Sequence, residues 1–367
     1  MLALSALPDH EVTRALLPDI VKTHLDHHDA LRKIAKNRCI IPIAIDPVGH
    51  GKVYWADVGK HPFREWQFTY TVKYLAESGS IKSAFTTDFD ILKDDAIGAD
   101  GIYPGGLIFH ISRCGSTLIA KGLARLDSNI VITQGGPLQR GFWAKMTDDF
   151  RKPLKPTKEN LAIFRRLVLA MTRRRTDRQV ASFLKFVSWN VVHLDFIQKA
   201  FPDVPALFLY RNPVEVIAST VQRPTPALLA KGGRQAPILI GDTKADTMDM
   251  SDTEYLAHCC AQYFRAALGG VKDGLKVLNY TSLGPEHFPE ILSRALQVNP
   301  TEDELTLMVE QFKYHSKDDQ NTQEFRGDSD EKSKSVPFAE RAMIKRLCKD
   351  LVKKLDQSKA NLFPVKA

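Results

Sequence analysis

From about Gly105 onward the chain repeats one pattern: a short, nearly unbroken apolar run, an amphipathic stretch of helical period, then another apolar run. Runs without polar alternation suit strands buried on both faces, and strands separated by helices suit a parallel sheet. The runs are LIFHIS (107–112), NIVIT (129–133), ASFLKFVSW (181–189), PALFLY (205–210) and LKVLNY (275–280), with helices expected near 117–126, 159–175, 192–201, 213–222 and 253–268. The fold class is therefore α/β and three-layered. Residues 1–100 read differently. Their aromatic-rich pieces, such as KVYWADVG and EWQFTYTVKYL, suggest antiparallel strands in a small accessory segment, leaving 101–367 as the main domain.

With 367 residues, 44% hydrophobic and 26% charged, the chain is of ordinary globular composition and long enough to bury a large core. A formal charge of +8 fits an anionic ligand, a nucleic acid, a membrane surface or simply a solvated excess. The N-terminal MLALSALPDHEV lacks the basic start of a signal peptide, and no apolar stretch approaches the roughly 20 residues that span a bilayer. Five cysteines, an odd set without metal-ligand spacing, point to a reducing compartment and to no metal centre. A cytoplasmic setting is expected. The Pro- and Gly-rich stretch 223–242 reads as a substrate lid or as a disordered surface insertion.

Two segments carry the chemistry. In GLIFHISRCGSTLIAKGL (106–123) a buried strand runs through a tight turn into a helix start, which gathers backbone N–H groups and a positive helix end around one anion. Arg113, Cys114, Gly115, Ser116 and Thr117 make that turn. In a nucleoside-triphosphate loop, G-x-x-x-x-G-K-[ST], a lysine follows the second glycine; here Ser116 stands in its place and His110 in that of the first glycine. The turn suits a single phosphate bearing one further anionic group, or else is an ordinary turn whose serine caps a helix. The Cys114 thiol is read as loop packing.

The second segment is FPDVPALFLYRNPVEVIAST (201–220). Asn212 is placed as N-cap, Pro213 at the first helical position, and Glu215 closes an N-x-x-E box. Arg211 precedes them at the carboxyl end of a parallel strand, where open α/β sheets bind ligands. Arg211 and Ser219, eight positions on, converge only on something lying along the helix. Singly they read as a surface ion pair and a solvated hydroxyl. Two anion sites on one sheet suit a nucleotide phosphorylated at both ends.

SRCGSTL and FPDVPALFLYRNPVEVIAS resemble the 5′-phosphosulfate loop and the 3′-phosphate segment of sulfotransferases that use 3′-phosphoadenosine 5′-phosphosulfate (PAPS), over about residues 105–340. The resemblance implies a P-loop-type α/β fold and transfer of a sulfuryl group to a hydroxyl or amine of a small-molecule or glycan acceptor. It assigns the 5′-phosphosulfate to the turn 113–117 and the 3′-phosphate to Arg211 and Ser219. Lys185, in FLKF, is similar to a lysine placed near the transferring group, and otherwise a strand lysine facing water. In HSKDDQNTQEFRGDSDEKSK, Lys317, Arg326 and Lys334 are candidates for closing over the nucleotide, or part of a solvated charge run.

One departure concerns the base. Where similar proteins have Ser-Glu, this chain has Thr133-Gln134, and glutamine accepts no proton. Val187 stands where a Lys-x-His pattern needs histidine, which leaves His110 and His193 as side chains more often structural. A P-loop kinase of small molecules and a catalytically lapsed nucleotide-binding module are the alternatives. The Arg-rich FRRLVLAMTRRRTDR (164–178) lacks interleaved aromatics, so it reads as a solvated face or an edge for an acidic acceptor rather than a nucleic-acid patch.

Overall fold

The computed structural model describes residues 21–46, 51–314, 316–319, 322 and 336–364. Its strands form two sheets. The first is antiparallel, in the order β1 (Ile40–Ile45), β2 (Val53–Asp57), β3 (Ala84–Thr87). Pro42 is tolerated because β1 is an edge strand and its register shifts between Pro42 and Ala44. The buried Trp55 donates its indole N–H to the Thr87 hydroxyl across the ladder (2.9 Å). EWQFTYTVKYL is not a strand. Phe68–Glu77 is a helix, because Phe68, Val72 and Leu75 fall on one buried face at helical spacing despite the aromatic content.

The second sheet has five parallel strands: β4 (Pro104–His110), β5 (Asn129–Thr133), β6 (Ala181–Lys185), β7 (Ala206–Tyr210) and β8 (Lys276–Asn279), in the order β5-β6-β4-β7-β8. Helices flank it, and the expected α/β class is the observed one. β6 ends four residues early: Ser188–His193 is a 3₁₀ helix whose apolar Trp189 and Val191 are as buried as strand residues. An apolar run alone does not separate the two.

Backbone contacts group the chain into two compact units that interleave in sequence. One comprises the described residues up to Gly105 with Ala120–Lys185 and Lys199–Phe201; the other comprises Gly106–Ile119, Phe186–Gln198 and the described residues from Pro202 on. In the second unit the stretch 223–242 is ordered rather than disordered. It folds into the short helices Pro226–Leu229 and Ala236–Ile240, with Ala236 and Leu239 fully buried. In the first unit the Arg-rich stretch is not a solvated face. After the helix Lys158–Met171 the chain turns Arg173 and Arg175 inward. Arg173 donates to the carbonyls of Asn37, Ile40 and Ile34 and pairs with Asp100, while Arg175 donates to the His61 carbonyl and lies 3.6 Å from the Phe63 ring centroid.

Candidate functional site

The turn after β4 is left-handed at three of its residues, Ser112 (φ 77°), Arg113 (φ 52°) and Gly115 (φ 79°). Left-handed residues ahead of a helix turn successive N–H groups toward one point, which is the geometry of an anion-binding nest. The strain at Ser112 and Arg113 is held from below. Ser112 N–H donates to His110 Nδ1 (2.9 Å), so that nitrogen carries no proton, and Nε2–H donates to the Phe186 carbonyl (3.0 Å). His110 is therefore a neutral fastener with both ring nitrogens engaged, not a base. The helix Ser116–Ala124 begins at once, with Ser116 and Thr117 buried in its first turn.

Gly115 is required twice over. Its φ favours glycine, and a Cβ there would stand 2.3 Å from Leu283 Cδ2 and 3.2 Å from Tyr280 Cε2. Cys114 points the other way. Its thiol is fully buried against the Leu209 carbonyl of β7 (3.4 Å), so only its backbone is available to a ligand at the turn.

The helix Pro213–Gln222 starts as its sequence demands, with Asn212 Oδ1 accepting from Val214 N–H (3.0 Å) and Pro213 in the first turn. Glu215 does not close the capping box. Its carboxylate is taken by Arg211, through Nε (2.6 Å) and Nη2 (2.5 Å). Arg211 also donates from Nη1 to the Arg113 carbonyl (3.1 Å) and lies 4.4 Å from the Tyr280 ring centroid. Arg211 thus faces the turn. Ser219 is buried on the same helix. The Arg113 guanidinium reaches the Arg223 carbonyl at that helix's C-terminal end (2.9 Å), a site of partial negative charge. Ser112, Ser188, Ile217, Thr220, Thr225 and Tyr263 line a cavity of about 10 Å³ beside the turn, room for about one water molecule.

In the first unit Lys185 ends β6 opposite Thr133 of β5, and at 1% exposure it is not a strand lysine facing water. Its carbonyl accepts from Gln134 N–H (2.6 Å), and Gln134, itself left-handed (φ 53°), is pinned through its carbonyl by the Gln139 side chain (3.1 Å). In the second unit His193 is buried edge-on to Trp189, and burial pushes its pKa down to about 3, so the imidazole is neutral near pH 7. Lys317 is exposed; Arg326 and Lys334 lie outside the described residues. Sequence reasoning missed Tyr280 and Leu283. Their signal was position: they follow β8, which is parallel to β7, and so emerge at the carboxyl rim where Arg211 stands.

Among the described residues no group of three His, Cys, Asp or Glu side chains is placed to hold a metal ion, and no helix is long and apolar enough to cross a membrane. No family model matches the sequence, and no curated protein matches it. Among solved structures the chain is similar to a sulfotransferase domain from the curacin biosynthetic pathway, at 13% identity and a TM-score of 0.40, over 68% of this chain and 98% of that one. It is also similar to a sulfotransferase from Alicyclobacillus acidocaldarius, at 15% identity and a TM-score of 0.33, over 69% and 94%.

Proposed function

We propose that this protein transfers a sulfuryl group from PAPS to a hydroxyl or amine of a small-molecule or glycan acceptor. The observation that carries the reading is the bond from Arg211 Nη1 to the Arg113 carbonyl, which joins the two anion-binding segments of the sequence at one place. The residues fit a doubly phosphorylated nucleotide: the left-handed turn and the first-turn amides at 115–117 for its 5′ end, and Arg211 with Ser219 for its 3′ end. PAPS, when bound, supplies the sulfuryl group and a phosphate leaving group. Amides fixed by the His110 bonds stabilise the charge that gathers on that phosphate, at no cost of reorganisation during the reaction. Arg113 anchors the turn to the helix Pro213–Gln222 and adds positive charge beside it. The resemblance assigns Lys185 to the transferring group, and Lys185→Ala should slow transfer by roughly 10²-fold. Five free cysteines, four of them buried, accord with the reducing, cytoplasmic setting we infer.

A second reading, a nucleotide-binding module without transferase activity, is favoured by the same histidines: His110 has both nitrogens engaged and His193 is a very weak base. Thermal-shift measurements with adenosine 3′,5′-bisphosphate, AMP and ATP with Mg²⁺ test the assignment, since a ligand of the folded state raises the melting point by mass action. The bisphosphate should give the largest shift without metal. A larger shift with ATP and Mg²⁺ would instead support the kinase. Bisphosphate binding without sulfate transfer to a panel of acceptors would support the second reading.

A further inference from the structure

A second cavity is lined by none of the residues of the phosphate turn. It is a groove of about 700 Å³ in the first unit, lined by Lys36, Arg38, Asp100, Tyr103 and Arg174 and the backbone of 99–102. Its size falls in the range of about 300–1,000 Å³ typical of small-molecule sites.

The floor is rigid. Gly101 forms an antiparallel bridge with Arg173, Ile102 N–H donates to the Thr172 carbonyl, and Arg174 N–H donates to the Asp100 carbonyl. A side chain at Gly101 would collide with the Leu169 backbone, its Cβ falling 2.4 Å from that carbonyl oxygen. The charge is one-sided. The carboxylate of Asp100 is held by the buried Arg173 (3.0 Å), and Arg38 pairs with the exposed Asp177. Lys36 and Arg174 have no acidic partner among the described residues. Tyr103 packs edge-on against Phe201, with ring centroids 5.5 Å apart, yet stays 48% exposed, so one ring face is left at the groove.

We propose that this groove binds a small organic polyanion of about disaccharide size, with carboxylate or sulfate groups on Lys36 and Arg174 and a ring face on Tyr103. Guanidinium groups suit such planar or tetrahedral oxyanions by paired N–H bonds. A nucleic acid is the poorer fit, because Tyr103 is the one aromatic ring in the lining and strands of bases are held on successive rings. The site is independent of the transfer reaction and stands if that assignment fails.

Calorimetry of the full chain at about 0.15 M salt, where weak surface charges are screened, tests it. The probe is a disaccharide carrying one carboxylate and one sulfate, with lactose as the neutral control. The charged sugar should bind and lactose should not. Lys36→Ala/Arg174→Ala should weaken binding at least tenfold, with an unchanged melting point because both cations are exposed, and Tyr103→Ala about threefold. Lys345→Ala/Lys349→Ala, an equal loss of charge on the C-terminal helix, should bind as the native chain does. The proposal falls if the native chain gives no heat with the charged sugar, or if both double variants lose affinity equally. It also falls if a ten-nucleotide single-stranded DNA binds more tightly at the same residues.

Discussion

Replacing Arg211 by alanine tests the junction of the two segments, and the structure sets the size of the effect. The change strands the Glu215 carboxylate, removes a donor from the Arg113 carbonyl and uncovers the Tyr280 ring. Removing one partner of a buried ion pair costs about 3–5 kcal/mol. The Arg211 and Glu215 side chains are 8% and 15% exposed, so the lower end applies, about 3 kcal/mol. For a unit of this size that is a fall of roughly 6–12 °C in melting temperature. Adding Glu215→Ala removes the stranded charge and should recover most of the loss. In that stable background the ligand effect can be read separately. A charge-assisted hydrogen bond to a phosphate contributes about 1.5–3 kcal/mol, so adenosine 3′,5′-bisphosphate should bind roughly ten- to hundredfold more weakly, with AMP unchanged. Calorimetry with both nucleotides gives the comparison. If the double variant melts as low as Arg211→Ala, the stranded carboxylate is not the cause of the loss; if both nucleotides weaken equally, Arg211 is not the 3′ anchor.

Other perturbations separate structural from functional roles. Gly115→Ala should cost about 1–2 kcal/mol from its left-handed φ and more from the Leu283 contact, and adding Leu283→Ala should relieve only the contact; retention of native AMP affinity in the single variant would show that the turn is not the anion cradle. Arg175→Met should leave the melting point within a few degrees or raise it. Burial already lowers that guanidinium's pKa to about 10, and its Nε and Nη2 have no partner. Arg173→Met, which loses bonds to three carbonyls and Asp100, should cost about 3–5 kcal/mol, and equal melting points for the two variants would overturn the distinction. His193 has a folded pKa of about 3 against 6.5 in its ordinary state, so below pH 6.5 only the unfolded chain takes up its proton. Stability should therefore fall with acidity, at a limiting slope of about 1.4 kcal/mol per pH unit, and melting curves of His193→Leu between pH 7 and 5 should be flatter. Parallel slopes would show that His193 is not held neutral.

The sheet, most of its helices and the helix starts of the segments 106–123 and 201–220 were readable from residues alone, because each depends on local physics. Apolar runs broken by helical periods place β4 to β8, a left-handed turn needs Gly115, and Asn212 with Pro213 opens a helix wherever it lies. Local physics also misled where two conformations bury the same residues, as at Phe68–Glu77 and Ser188–His193. The direction of each charged side chain was decided by tertiary structure. Arg211 meets Glu215 and the Arg113 carbonyl, Arg113 turns to a helix end, and Arg173 and Arg175 go inward while Arg174 between them stays in solvent. A long cation settles where carbonyls, carboxylates and rings from distant segments surround it, and those partners exist only once the chain has folded.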